Sequence, residues 1–139
     1  MTEEAAAIPR VKGVHIGAPA CFVLELAMKQ VREAFPSSDG EFVGLYIVGS
    51  ALQRPDWRDV DVRMIMSDAM FEREFPGTVK GTWEWHPRWL LLTVAISDFL
   101  SKHTGLPIDF QFQPQTHANE RHKGPRNAVG LGFIRDTPE

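Results

Sequence analysis

Cysteine is nearly missing from this chain, and so is any excess of positive charge. The one cysteine, Cys21, excludes an internal disulfide framework and a zinc site built from several cysteines. So few cysteines are typical of a reducing compartment. With 15 Lys and Arg against 18 Asp and Glu, the formal net charge is -3, which excludes the global basic field typical of non-specific nucleic-acid binding.

Long hydrophobic runs are missing as well. The longest one, residues 89–96, is interrupted by Thr93 and is too short to cross a bilayer. Residues 2–5 lack the basic and apolar regions of a secretory signal. We therefore expect a soluble, cytoplasmic protein that has no membrane partner.

The length of 139 residues and the hydrophobic content of 43% suit a single domain with a real core. Residues 1–17 contain Pro9 and two glycines and show no period, which predicts an N-terminal arm. Residues 18–113 carry regular patterns and form the predicted core of the domain. Residues 114–139 are polar and basic; we assign them to the same domain, with a last short strand over residues 129–134.

Hydrophobic spacing predicts alternating helices and strands. Apolar residues recur at helical spacing over residues 20–35 and 87–103, and Ser67 can cap a short helix between them. Three segments rich in β-branched and aromatic residues are predicted strands: 42–48, 59–66 and 106–112. We expect the first strand to be buried on both faces. The order predicts an α/β (α+β) fold, with a mixed β-sheet and helices packed on one face.

Three aspartates lie in these predicted strands. Asp59 and Asp61 occupy alternate positions of one strand, so their side chains share a face, with roots about 7 Å apart. Asp109 lies on another strand, which can place it about 5 Å to the side. Hard oxygen ligands of this kind select Mg²⁺ or Mn²⁺. Two such ions about 4 Å apart can hold the attacking and leaving oxygens of an in-line displacement.

A lone Asp-x-Asp on a half-exposed strand is commonly only a solvated surface. The turn before it favours a functional interpretation. Gly49 lets the backbone approach a phosphate closely, and the amide and hydroxyl of Ser50 can donate to phosphate oxygens.

The Val-Gly-Ser run ending at Ser50, the Asp-Val-Asp-Val run beginning at Asp59 and the later Asp109 resemble the signature of the DNA polymerase beta-like nucleotidyltransferase superfamily. The resemblance covers roughly residues 20–113, as in a minimal single-domain member. It implies that Gly49 and Ser50 hold nucleotide phosphates, and that Asp59 and Asp61 ligate two metal ions. It further implies that Asp109 ligates the catalytic ion and helps to activate an acceptor hydroxyl. The family reaction transfers a nucleoside monophosphate from a nucleoside triphosphate to an acceptor and releases pyrophosphate.

Several basic residues are candidates for binding the substrates. Arg63, on the strand face of the acids, contacts the triphosphate or pairs with an acid, and Arg58 lies in the loop above the predicted phosphate site. In the C-terminal segment, Arg121, Lys123 and Arg126 either bind an acidic acceptor such as RNA or are solvated charges.

The short chain departs from the family in two ways. The gap between the Gly-Ser turn and the first acid is slightly short, and a second helical domain has no room. A helical partner subunit or the C-terminal segment would then supply the missing acceptor side of the site. The acceptor stays open between a protein side chain, an RNA end and a small molecule. Three alternatives also stay open: an inactive nucleotide- or nucleic-acid-binding module, an interaction module of the toxin–antitoxin type, and a metal-dependent nuclease.

Overall fold

A computed structural model of the protein describes residues 15–17, 19–78, 81–121, 124 and 126–128. Within them lie four helices: α1 (Ala20–Glu33), α2 (Asp68–Glu74), α3 (Pro87–Thr104) and α4 (Gln115–Arg121). The same residues contain four strands: β1 (Val43–Val48), β2 (Val60–Met66), β3 (Ile108–Pro114) and β4 (Asn127–Ala128). Most of the predicted N-terminal arm and the strand predicted over residues 129–134 lie outside the described residues.

The strands form one mixed sheet in the order β3-β2-β1-β4. β1 pairs antiparallel with both β2 and β4, whereas β2 and β3 run parallel. The parallel pair requires a crossover, which α2 and α3 provide. This architecture confirms the predicted α/β (α+β) class with a mixed sheet.

Local signals set the helix ends. Ser67 caps α2 by accepting a hydrogen bond from the amide of Met70. α3 begins at Pro87, where a proline costs no hydrogen bond, and ends at Thr104, with Gly105 as its C-cap. Gly105 has φ of 73° and donates its amide to the Ser101 carbonyl at 2.8 Å. Only glycine adopts this left-handed conformation freely, so the end of α3 is encoded in the sequence.

The core lies between one face of the sheet and the two long helices. Alternate residues of β2 and β3 enter it. α3 packs on β3, and α1 packs on α3 and on β1. Phe112 is fully buried near the centre, with ring centroids of Phe35 at 5.3 Å and of Phe75 at 5.0 Å. These aromatic contacts join the helical layer to the sheet.

The prediction for β1 is wrong. β1 is not buried on both faces, because only Leu45 and Ile47 are buried while Gly44, Tyr46 and Val48 stay partly exposed. The segment after β3 begins with a helix, α4, for which no element was predicted.

Large apolar side chains are exposed on the outer sides of α1 and α3: Phe22, Leu26, Leu90, Leu91 and Val94. In the described part of the chain, no helix is long and apolar enough to cross a membrane. The predicted helical partner subunit stays a prediction.

An ion-pair cluster fastens the turn before β1 to α2. Arg73 donates to both carboxylate oxygens of Glu41, at 3.0 and 2.7 Å, and the Ser38 amide adds a third hydrogen bond at 2.8 Å. The hydrogen bonds from Arg73 lower the pKa of Glu41 below its ordinary value of 4.5. A carboxyl whose pKa is lower in the folded state stabilises the fold above its unfolded pKa. That contribution is lost as the pH falls through the folded pKa.

We therefore expect Glu41→Gln to lower the free energy of unfolding near neutral pH. The difference from the wild type should shrink as the pH falls below 4.5. Urea unfolding between about pH 7 and about pH 3 measures this. Glu33→Gln, which removes an exposed carboxylate at the end of α1, is the matched control. A difference that stays constant over the whole range would contradict the assignment.

Candidate active site

The turn after β1 contacts the second aspartate of the motif. β1 ends at Val48, which lies opposite Asp61 in the sheet register, and a 3-10 turn follows over Gly49–Leu52. Gly49 has φ of 79°, and a Cβ atom added to it would overlap a carboxylate oxygen of Asp61. Both the backbone conformation and the space therefore require glycine here.

Asp61 and Asp109 lie together. They are register partners on the parallel strands β2 and β3, and both point away from the core because the residues on either side of them point into it. The Asp61 side chain is 28% exposed and that of Asp109 is 46% exposed, so a ligand can reach both.

Asp59 lies just outside the strand. It is exposed and precedes the first residue of β2, Val60, whose amide donates to the Pro107 carbonyl at 2.9 Å. Among the residues that the structure describes, no three His, Cys, Asp or Glu side chains form a group able to hold a metal ion. The structure thus brings two of the three predicted ligands together.

Arg63 fills the space beside the pair. Its Nη2 lies 3.4 Å from Oδ2 of Asp109 and 3.9 Å from Oδ1 of Asp61. Its Nη1 donates to the carbonyl of Asp109 at 2.7 Å and to that of Val62 at 3.0 Å. With only 12% of its side chain exposed, Arg63 is held between the acids and the backbone. The structure shows the ion pair, and contact of Arg63 with a triphosphate stays a prediction.

Two other predicted phosphate ligands, Ser50 and Arg58, lie in the turn after β1 and in the loop that follows it. The Ser50 carbonyl accepts hydrogen bonds from the amides of Gln53 at 2.9 Å and Arg54 at 3.0 Å, which closes the turn. Arg58 is exposed in the loop that follows. Trp57 anchors that loop, because its indole donates to the His15 carbonyl at 2.7 Å and packs against the core.

Of the predicted acceptor residues, Arg126 contacts Tyr46, the register partner of Arg63 on the outer face of the sheet. Arg126 donates to the Ala118 carbonyl at 3.0 Å and lies over the ring of Tyr46, 5.8 Å from its centroid. Arg121 is exposed at the end of α4 and lines a cavity of about 570 Å³. Lys123 lies outside the described residues.

This cavity opens where β2 and β3 end, between the start of α2 and α4. Its lining includes Asp68, Thr116 and Arg121. By strand rise, the end of β2 lies about 17 Å from Asp61. The cavity is therefore separate from the carboxylate pair.

No protein-family model matches the chain, and no curated protein or solved structure is significantly similar to it. The resemblance to the DNA polymerase beta-like nucleotidyltransferase superfamily stays a prediction. It rests on the Gly-Ser turn, the Asp-Val-Asp strand and Asp109.

Two features of the site were not foreseen. One is the packing of Gly49 against the Asp61 carboxylate, and the other is the contact of one arginine with both acids. A partial signal for the second exists in the sequence, since Arg63 follows Asp61 by two residues and must share its face.

Proposed function

We propose that the protein is a metal-dependent nucleotidyltransferase. It moves a nucleoside monophosphate from a nucleoside triphosphate to the hydroxyl of an acceptor and releases pyrophosphate. The observation that carries the proposal is the pairing of Asp61 with Asp109 across parallel strands, directly beside the glycine turn. If Asp61 were only a solvated surface residue, its carboxylate would not need a glycine beside it.

The donor atoms suit a hard divalent cation. Two partly exposed carboxylates on adjacent strands offer oxygen ligands, and Asp59 can contribute a third from the start of β2. Asp61 and Asp109 would hold Mg²⁺ or Mn²⁺, as a pair of ions in the full site, and Asp59 would add a further ligand. When bound, the metal supplies positive charge that offsets the charge of the phosphates.

The chain's own residues do the remaining work. The backbone of Gly49 and Ser50 holds phosphate oxygens, and Arg58 adds positive charge from the loop before β2. The acceptor oxygen attacks the α-phosphorus, its proton passes to Asp109, and the bond to the bridging oxygen breaks so that pyrophosphate leaves with the electron pair. Positioning and charge neutralisation supply most of the rate in phosphoryl transfer.

The test is a transfer assay with two labels. The protein, Mg²⁺ and a cell lysate are incubated with each nucleoside triphosphate labelled at the α- or the γ-phosphate. We expect label from the α-position alone to become covalently attached to an acceptor, because the γ-phosphate leaves in pyrophosphate. Transfer from the γ-position would indicate a kinase instead, and shortened nucleic acid without label would indicate a nuclease.

The ion pair of Arg63 favours a second candidate. Because a guanidinium already offsets part of the negative charge of Asp61 and Asp109, the site can bind nucleotide without turnover. A thermal-shift series with nucleoside triphosphates, with and without Mg²⁺, detects binding as a rise in Tm. A rise in Tm without pyrophosphate release would favour the inactive module over the enzyme.

A further inference from the structure

Arg63 uses its two terminal nitrogens differently. Nη1 donates to two backbone carbonyls, those of Asp109 at 2.7 Å and Val62 at 3.0 Å. Nη2 faces the two carboxylates at 3.4 and 3.9 Å. Charge-assisted hydrogen bonds between arginine and a carboxylate are shorter, about 2.7–2.9 Å. The backbone contacts are therefore tight, and the carboxylate contacts are loose.

The third nitrogen of the same guanidinium is not satisfied. Nε is buried and has no hydrogen-bond partner among the described residues. A buried donor without a partner destabilises the arrangement that contains it. The guanidinium is thus anchored to the backbone at one corner and is incompletely bonded at the other two.

We propose that Arg63 is a built-in counter-ion that a divalent cation has to displace from Asp61 and Asp109. The inference rests on the proposed function only in that the same two carboxylates take the metal. Without metal, the guanidinium limits the repulsion between two acids that lie opposite each other on adjacent strands. A cation needs the same oxygens, so Arg63 and the metal compete for them.

Displacement does not require the whole side chain to leave. Nη1 can keep its two carbonyl partners while Nη2 gives up the carboxylates. The freed Nη2 then lies beside the metal on the same strand face, where it can donate to a phosphate oxygen. Arg63 would therefore pair with Asp61 and Asp109 before the metal binds, and it would bind the triphosphate afterwards.

The competition is measured as Mn²⁺ affinity in the absence of nucleotide, from the electron paramagnetic resonance signal of free Mn²⁺. Arg63→Met keeps the apolar stem and removes the competing charge, and we expect it to bind Mn²⁺ about fivefold more tightly or better. Lys29→Gln is the matched control, because it removes one positive charge from an exposed position of α1, behind the sheet. Its affinity should equal that of the wild type.

Arg63→Met can fail to fold without metal, since it leaves two acids facing each other. In that case the proposal is tested on the wild-type protein. The Arg63 side-chain N–H resonances, identified by their absence in Arg63→Lys, should shift on titration with Mg²⁺. Unchanged resonances at saturating Mg²⁺ would overturn the proposal.

The outcomes separate this inference from the proposed function. Equal Mn²⁺ affinity in the wild type and in a folded Arg63→Met would overturn the role of Arg63 and leave the nucleotidyltransferase intact. Tighter Mn²⁺ binding by Arg63→Met, together with no label transfer by the wild-type protein, would support the counter-ion and contradict the proposed enzyme. If neither protein binds Mn²⁺, both proposals fall.

Discussion

Asp61→Asn is expected to abolish nucleotide transfer while the fold survives. Asparagine keeps the shape of the side chain beside Gly49 but loses the charge that a divalent cation requires. Metal ions supply several kcal/mol of charge stabilisation in such reactions, so the loss of a ligand corresponds to about a thousandfold or more in rate. The α-label assay measures the rate, and circular dichroism with thermal unfolding checks the fold.

Asp98→Asn is the control for that result, because Asp98 is an exposed carboxylate on α3, away from the site. It should retain full transfer. Asp109→Asn should lose activity as Asp61→Asn does, since the two acids face each other. Full activity of Asp61→Asn in Mg²⁺ would show that the carboxylate pair is not the metal site.

Gly49→Ala is expected to have the second largest effect, on stability and activity together. The left-handed backbone costs alanine about 1–2 kcal/mol. Overlap of the new methyl group with the Asp61 carboxylate adds about 1–3 kcal/mol, as overpacking does. Because Asp61 has to move, transfer should fall by about a hundredfold, the cost of misplacing a catalytic group by about 1 Å. Urea unfolding and the α-label assay measure the two effects.

Gly105→Ala separates the two terms. Gly105 also has a left-handed φ, 73° against 79° at Gly49, but open space where its Cβ would lie. This variant should show the backbone cost alone and keep its activity. If both variants were equally destabilised and both kept their activity, the contact between the turn and Asp61 would have no role in nucleotide transfer.

The sequence was sufficient where one local pattern decided the outcome. Alternation of apolar and acidic residues placed Asp61 and Asp109 on the outer face of the sheet, because the side-chain period of a strand is two. Proline and glycine marked both ends of α3. These features follow from the chain within a few residues of each position.

Features that depend on distant partners could not be predicted. α4 has seven residues and buries only Ala118, too short a stretch for a helical period to show. The exposure of Tyr46 depends on what covers the second face of the sheet, which no pattern in β1 reveals. The double ion pair of Arg63 depends on the register of β2 against β3, which is set over a crossover.

That crossover has a consequence for how the protein is made. Asp61 and Asp109 belong to parallel strands, and α2 and α3 lie between them in the chain, so their pairing is a long-range contact. A nascent chain that ends before β3 holds one acid without its partner. Pairing of the two acids is thus a late event in synthesis, and Mn²⁺ affinity of truncated chains would report when the sheet closes.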